Sequence, residues 1–242
     1  MKAAIEQLRL QTSDWGIDLE ASQLALLSVY ADLLAGYELA NVIGTRDPGK
    51  IVVEHLCDSL SCLLIGDLWS SRSVIDVGTG GGLPGVPLAI SHPELMVTLL
   101  EATEKKVRFL DYTREKLGLQ NLDLIQGRVE DEGKKAAYRE TFDLAVARAL
   151  AELPVVVEYC APLVRVGGKI LAMKGGLTEE ELSRGVAASH ELGAEVCAVR
   201  EVKYRAELPQ KERQLVVFEK ILATPEKFPR RVGLAKKRSL GT

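Results

Sequence analysis

A glycine-rich stretch at residues 78–85 carries the clearest chemical signal in this sequence. Five glycines occupy these eight positions, directly after the apolar run VIDV that contains Asp76. Glycine permits positive φ angles and lacks the Cβ atom that would keep a ligand away from the backbone. A helical segment holding Val86 to Ile90 follows, and a helix N-terminus favours polar or anionic groups. The stretch therefore predicts a strand, a loop and a helix arranged to bind a nucleotide-like cofactor.

The glycine spacing alone leaves two cofactor classes open. Residues 80–85 fit the dinucleotide pattern G-x-G-x-x-G, whereas a P-loop is excluded because no Gly-Lys-Ser/Thr follows. Asp76 adds the arrangement D-x-G-x-G-x-G, which resembles motif I of the S-adenosylmethionine-dependent methyltransferases. Its carboxylate could orient the loop and attract the ammonium group of that cofactor, but it would repel a pyrophosphate. Glu101 ends the run MVTLLE, where it could accept ribose hydroxyls of either cofactor. These features favour methyl transfer over a nicotinamide enzyme.

Short β-branched runs alternate with helical segments from Ser73 onwards. The runs are SVIDV, MVTLLE, LDLIQG, FDLAVA, GKILAMK, AEVCAVREV and RQLVVFEK. This alternation favours a parallel sheet with helices on both faces. The last two runs leave no room for a crossover helix, so we expect them to form an antiparallel hairpin. The predicted fold class is α/β, a Rossmann-like class I methyltransferase sheet that is mostly parallel, with an N-terminal helical extension.

The chain divides into three predicted regions. Residues 1–72 form a helical cap, because apolar residues recur at three- and four-residue spacing from about Ser22 to Leu68, with Thr45 or Asp47 starting the second helix. Residues 73–220 form the cofactor-binding domain. Residues 221–242 form a tail with six basic residues against one acid, a net of +5 on a chain of net charge −3. Such a tail could neutralise RNA phosphates, although a solvated, disordered terminus explains the charge equally well.

Composition excludes several other classes of protein. No segment approaches the roughly 20 uncharged apolar residues that cross a bilayer, so we expect a cytoplasmic protein without membrane contact. The four cysteines are scattered and form no C-x-x-C pair, and the three histidines have no ligand spacing. We therefore predict no metal site. We also expect a monomer.

Five segments, in order and at this spacing, make the resemblance more specific. They are DVGTGGGLPGVPLAI, EATEKKVRFL, GRVED, FDLAVARAL and MKGG. Together they resemble the small-subunit ribosomal RNA guanine-N7 methyltransferase family, also called the glucose-inhibited division protein B family. The resemblance covers roughly residues 30–220 and includes HLCDSL at 55–60. In the tail, Ala235 and Ser239 stand where the family usually has prolines.

The resemblance implies roles for particular residues. S-adenosylmethionine would be bound by Gly78, Thr79, Gly80, Gly82, Leu83, Glu101, Val129, Glu130 and Arg148. Arg148 and Lys174 would act on the target base. Small-subunit ribosomal RNA would be contacted by Arg128, Lys174, Arg213, Arg230, Arg231, Lys236 and Lys237. Simpler roles remain open, since Glu101 could cap a helix and Arg128 or Arg213 could form surface ion pairs.

The expected acceptor is N7 of a guanine in 16S ribosomal RNA. The sequence lacks the Asn/Asp-Pro-Pro-aromatic signature of exocyclic amine methylation, and Cys160 lacks the Pro-Cys context of cytosine carbon methylation. The in-plane lone pair of N7 needs alignment more than acid–base help. Two alternatives remain: a methyltransferase acting on a small molecule or protein, and a non-catalytic RNA-binding or assembly factor that keeps the fold.

Overall fold

The computed structural model describes residues 1–66, 68, 72–209 and 212–241, and these contain one seven-stranded sheet. The strands are β1 (Ser73–Val77), β2 (Met96–Glu101), β3 (Leu122–Gln126), β4 (Phe142–Arg148), β5 (Val164–Lys174), β6 (Ala194–Glu201) and β7 (Gln214–Lys220). All seven predicted runs are strands. The predicted run GKILAMK begins at Gly168, whereas β5 begins at Val164. The Gly167–Gly168 pair therefore lies inside the strand.

The strand order is β3-β2-β1-β4-β5-β7-β6. Strands β1 to β5 pair in parallel, and β7 pairs antiparallel with both β5 and β6. The strand order reverses between β1 and β4, since β2 and β3 lie on one side of β1 and β4 lies on the other. Ligands bind at such a switch point in open α/β sheets. The predicted fold class is therefore confirmed, including the C-terminal antiparallel hairpin.

Ten α-helices lie in the described ranges. They are α1 (Lys2–Asp14), α2 (Ala21–Gly36), α3 (Pro48–Lys50), α4 (Cys57–Leu60), α5 (Gly85–Ser91), α6 (Glu104–Leu117), α7 (Val129–Glu132), α8 (Leu153–Cys160), α9 (Glu179–Glu191) and α10 (Leu234–Lys237). A π-helical turn, Ile51–Leu56, joins α3 to α4. Short 3₁₀ segments span Ser61–Leu64 and Ala161–Leu163.

The start of α3 agrees with the sequence, whereas α1 lies within the predicted 1–72 cap but before the apolar pattern that begins at about Ser22. Asp47 caps α3 by accepting hydrogen bonds from the backbone N–H groups of Gly49 and Lys50. Pro48 occupies the first helical position, where its missing N–H costs nothing. Helix α1 contains mostly polar residues and buries few side chains, Leu8 among them, so its apolar pattern is weak.

The two faces of the sheet carry separate hydrophobic cores. Val74, Leu144 and Val146 pack with the N-terminal helices on one face, while Ile75 and Ala145 pack on the other with α8. Strand residues alternate between faces. Asp76 and Arg148 therefore lie on the face that carries the N-terminal helices.

The C-terminal segment, residues 221–241, folds back onto the second core. Phe228 and Ala235 are buried there. Arg139 donates hydrogen bonds to the backbone carbonyls of Thr224 and Phe228. The charge of the tail had suggested a disordered terminus or an RNA-binding one; the structure shows an ordered segment packed against the domain.

No helix in the described ranges is long and apolar enough to cross a membrane. Cys57, Cys62 and Cys160 are buried, and Cys197 is exposed.

We expect Arg230→Ala to destabilise the fold strongly. Arg230 Nη2 lies 2.5 Å from Oε2 of Glu158, whose side chain is only 1% exposed, so the substitution leaves a buried carboxylate without its partner. Removing one member of a buried ion pair costs about 3–5 kcal/mol. Urea unfolding measures the loss. The exposed neighbour Arg231 provides the matched control, with an expected change within about 0.5 kcal/mol for Arg231→Ala; equal effects of the two substitutions would contradict the prediction.

Candidate functional site

A buried carboxylate fixes the loop between β1 and α5. Asp76 is fully buried, and its Oδ2 accepts hydrogen bonds from Thr79 Oγ1 at 2.6 Å and from the Gly85 backbone N–H at 2.8 Å. Burial raises the pKa of Asp76 to about 6, against the lowering effect of these two bonds. Its Oδ1 is buried and has no hydrogen-bond partner among the described residues. Oδ2 thus holds the loop, while Oδ1 accepts no hydrogen bond from the described residues.

Several of the loop glycines are required by contacts within the protein. A Cβ at Gly81 would lie 2.6 Å from the Val42 carbonyl oxygen, and one at Gly82 would lie 2.8 Å from the Tyr30 hydroxyl. Tyr30, fully buried in α2, donates a hydrogen bond of 2.6 Å to the Gly81 carbonyl. Gly82 has a φ of 97°, which L side chains rarely adopt. The N-terminal helices therefore press directly on the loop.

Glu101 connects the loop to the start of α6. Its Oε2 accepts from the Gly80 backbone N–H at 3.1 Å, and its Oε1 accepts from the Thr103 N–H at 2.8 Å. Thr103 is the N-cap residue of α6. Glu101 therefore binds the start of α6 through the backbone of its N-cap residue, but it does not itself occupy the N-cap position. A carboxylate has about four lone-pair positions, which leaves acceptor capacity for a ligand.

A cavity of about 440 Å³ opens beside this loop. It is lined by Val77, Gly78, Leu100, Glu101, Ala102, Lys106, Gly127, Arg128, Val129, Glu130, Leu150, Tyr159, Val232, Gly233 and Lys236. The structure thus brings Gly78, Glu101, Val129 and Glu130 together around one space. The other five residues predicted to bind the cofactor do not line the cavity. They are Thr79, Gly80, Gly82, Leu83 and Arg148. The cavity-lining Leu150 and Tyr159 were missed, because nothing in their sequence spacing distinguishes them from core residues.

Glu130 is held in place inside the cavity wall. Its side chain is buried, and Oε1 accepts hydrogen bonds from Tyr159 Oη at 3.0 Å and from the Gly233 N–H at 2.9 Å. Burial, together with the bond to Glu130, raises the pKa of Tyr159, which keeps its hydroxyl a donor. Glu130 is therefore not the solvated charge that its sequence context allows.

Arg148 ends β4 in a cluster built around one buried carboxylate. Arg148 Nη1 lies 2.6 Å from Asp58 Oδ2, and Arg213 Nε lies 2.7 Å from Asp58 Oδ1. Tyr204 also donates to Asp58 Oδ1, at 3.2 Å. Ala149 follows with a φ of 52°, a strained conformation for a residue with a Cβ. Asp58 was not predicted as a site residue, although it lies in the segment HLCDSL on which the resemblance partly depends.

Lys174 belongs to a different cluster, on the opposite face of the sheet. Its Nζ lies 2.8 Å from Glu181 Oε1 and donates to the Ala151 carbonyl at 2.7 Å. Lys174 follows Ala172 by two residues and therefore lies on the same face of the sheet, the face of the second core. Arg148 and Lys174 therefore approach the end of the sheet from its two faces.

The remaining predicted RNA contacts differ in accessibility. Arg128, Arg231, Lys236 and Lys237 are exposed. Arg230 is less accessible to RNA, because its backbone N–H and its guanidinium both donate hydrogen bonds to Glu158. Among the described residues, no group of three or more His, Cys, Asp or Glu side chains could hold a metal ion.

Comparison with known proteins gives consistent matches. The family described as GidB, rRNA small subunit methyltransferase G, matches residues 23–216. The ribosomal RNA small subunit methyltransferase G of Rubrobacter xylanophilus is 49% identical over 240 residues, 99% of this chain and 92% of that protein. The protein of the same name from Thermoanaerobacter sp. is 38% identical and covers 98% of each chain. A solved structure of a candidate RNA methyltransferase from Pyrococcus horikoshii shares the fold, with a TM-score of 0.56 at 15% identity over 84% of this chain and 100% of that one.

We expect Asp76→Asn to change how stability depends on pH. Because the pKa of Asp76 is raised from 3.8 to about 6, the folded protein binds this proton more tightly than the unfolded chain does. Ionisation of Asp76 therefore lowers the free energy of unfolding as pH rises from about 4 to about 6. Asparagine does not ionise, and its carbonyl oxygen can accept both loop bonds. Urea unfolding should favour the variant by about 2 kcal/mol more at about pH 7.5 than at about pH 4, where the unfolded carboxyl is already partly ionised.

Asp143 provides the control for this experiment. Its pKa is lowered to about 2, against the raising effect of burial, by hydrogen bonds from Arg165, Ser73 and Arg72. Its stabilising contribution is therefore lost only below about pH 4, so Asp143→Asn should change stability nearly equally at the two pH values. An Asp76→Asn effect that is likewise independent of pH would contradict the prediction.

Proposed function

The chain belongs to the GidB family of small-subunit rRNA methyltransferases, and on that premise we propose that it methylates N7 of a guanine in 16S ribosomal RNA, with S-adenosylmethionine as methyl donor. The observation that carries the proposal is the position of Arg148. It ends β4 beside the loop that Asp76 fixes, and Asp58 holds its guanidinium. These contacts support the proposal because they hold Arg148 near the same end of the sheet as the cavity that we assign to the cofactor.

The residues around the cavity fit this cofactor. Glu101 and Glu130 are acceptors for ribose hydroxyls and for the adenine amino group, respectively. Asp76 lies outside the cavity lining; its buried Oδ1, which has no partner among the described residues, would attract the cofactor's ammonium group from beneath the loop. When bound, S-adenosylmethionine supplies a methyl group on a positively charged sulfur.

Arg148 would position the target base. A guanidinium has five N–H donors, and the hydrogen bond to Asp58 uses only Nη1. The others can donate to O6 of guanine, whose edge presents O6 and N7 side by side. With O6 accepting that hydrogen bond, the N7 lone pair would stay unblocked and face the methyl group, whose bond to sulfur would break as the bond to N7 forms. Alignment is then the main contribution of the protein, and no general base is needed.

Lys174 is the second candidate for the base edge, from the opposite face of the sheet. Its ammonium already contacts Glu181 and the Ala151 carbonyl, so it has fewer free donors than Arg148. We assign it, with Arg128 and Arg213, to RNA contact. Arg231, Lys236 and Lys237 would contribute through the C-terminal segment. The target guanine must be unpaired or flipped, since the deep major groove of A-form RNA hides N7.

The reaction can be tested by transfer of labelled methyl from S-adenosylmethionine to unmodified ribosomal RNA and to small subunits. Cleavage selective for 7-methylguanine then locates the label. Label at one cleavage site in the small-subunit RNA is the expected result. Cofactor binding without any label in this RNA would leave the fold intact and contradict the acceptor.

We expect Arg148→Ala to lower kcat on the order of 10²-fold, because loss of alignment in a near-attack geometry has effects of that size. Binding of S-adenosylhomocysteine should change less than about threefold, since Arg148 lies outside the cavity lining. Single-turnover kinetics with saturating RNA measures the effect. Arg165→Ala is the control, because Arg165 pairs with Asp143 near the start of β5, away from the site. An unchanged kcat with intact RNA binding would remove the role of Arg148.

A further inference from the structure

The C-terminal segment reaches the cavity that we assign to the cofactor. Val232, Gly233 and Lys236 form part of its lining, although they lie about 100 residues after Arg128 and Glu130 in the chain. The basic composition of the segment is compatible with RNA binding or with a solvated terminus, and it gives no indication of a cofactor site. Its position beside the cavity indicates a role in binding the ligand of that cavity.

The segment is held firmly enough to act as a wall. Glu158 in α8 accepts hydrogen bonds from both the backbone N–H and the guanidinium of Arg230. Phe228 is buried before the residues that line the cavity, and Ala235 is buried between two of them, Gly233 and Lys236. Further along, Arg184 of α9 donates a hydrogen bond to Ser239 Oγ. The part that lines the cavity is therefore fixed at both ends.

The segment also orients a residue of the cavity. The Gly233 N–H and the Tyr159 hydroxyl both donate to Oε1 of Glu130. Neither of these bonds uses Oε2, which leaves that oxygen for a donor on the ligand. Gly233 has a φ of 76°, a conformation that suits glycine. Its backbone therefore positions Glu130.

Lys236 supplies what the carboxylates of the cavity lack. Glu101 and Glu130 can only accept hydrogen bonds, whereas an ammonium group has three donors. Lys106 also lines the cavity, but its Nζ lies 4.0 Å from Glu101 Oε2. Lys236 has no ion pair with any residue in the described ranges. It is thus the lysine of the lining whose donors are free for a ligand.

We propose that the C-terminal segment is part of the cofactor site: Lys236 donates hydrogen bonds to ring nitrogens of the adenosine moiety, and Gly233 positions Glu130 for the same group. This inference rests on the proposed function. It makes the segment a wall of the cofactor site in addition to a surface for RNA.

Adjacent lysines allow a matched test. Lys236 lines the cavity and Lys237 does not, although both are exposed cations in α10. Calorimetric titration with S-adenosylhomocysteine, without RNA, should show about tenfold weaker binding for Lys236→Ala, the size expected for a hydrogen bond from a charged group. Lys237→Ala should bind within about twofold of wild type. Equal affinities in both variants and wild type would overturn the proposal.

Hydrogen exchange provides a second readout that does not depend on activity. Addition of S-adenosylhomocysteine to the full chain should slow exchange of the amides in residues 230–238. A segment that is merely docked on the domain would show no change on addition, and that result would also overturn the proposal. Failure of the wild-type protein to bind S-adenosylhomocysteine at all would instead contradict the proposed function.

Discussion

The two hydrogen bonds to Oδ2 of Asp76 are the constraint on which the site depends. They join Thr79 and Gly85, at the two ends of the glycine loop, to the strand that precedes it. A buried carboxylate is costly, and its raised pKa reflects that cost. Because the bonds are internal, the loop has its shape before any ligand binds. Oδ1 has no hydrogen-bond partner among the described residues, and under the proposed function its negative charge attracts the ammonium group of the cofactor.

Under the proposed function, the same arrangement brings the methyl donor and the target base to one end of the sheet. Asp76 and Arg148 lie at the ends of neighbouring strands on the face packed by the N-terminal helices, and those helices also supply Asp58. The predicted helical cap is therefore more than a cover, since Tyr30 and Asp58 contact the loop and the arginine directly. The cavity that we assign to the cofactor extends from the loop along Glu101 to Glu130, where residues of the C-terminal segment also line it.

Local signals in the sequence predicted the elements well. The β-branched runs, the glycine loop and the Asp47 cap depend on neighbouring residues, so each can be recognised without the fold. The strands that carry Asp76, Glu101 and Arg148 were predicted for this reason. The limits of the N-terminal helices were not, because α1 has few buried side chains to generate a pattern. The monomeric state and the domain boundaries stay predictions.

Partners across the fold could not be predicted in the same way. Nothing near Arg230 in the sequence indicates Glu158, which lies 72 residues away. The cluster of Arg148 and Arg213 on Asp58 likewise joins residues 90 and 155 positions apart. The loop glycines were interpreted as making room for a ligand, whereas at Gly81 the nearest atom belongs to Val42. Composition gave the charge of the tail correctly but could not show where the segment packs.

The central claim is that packing within the protein fixes the glycine loop, and Gly81→Ala in the cofactor-free protein tests it most directly. Gly81 has no positive φ, so alanine meets no backbone strain there; its Cβ would lie 2.6 Å from the Val42 carbonyl oxygen. We predict that urea unfolding will show a loss of about 1–3 kcal/mol, as for other overpacked sites. If the glycine served only the cofactor, alanine would leave stability unchanged or raise it by about 0.4–1 kcal/mol, and that result would contradict the account.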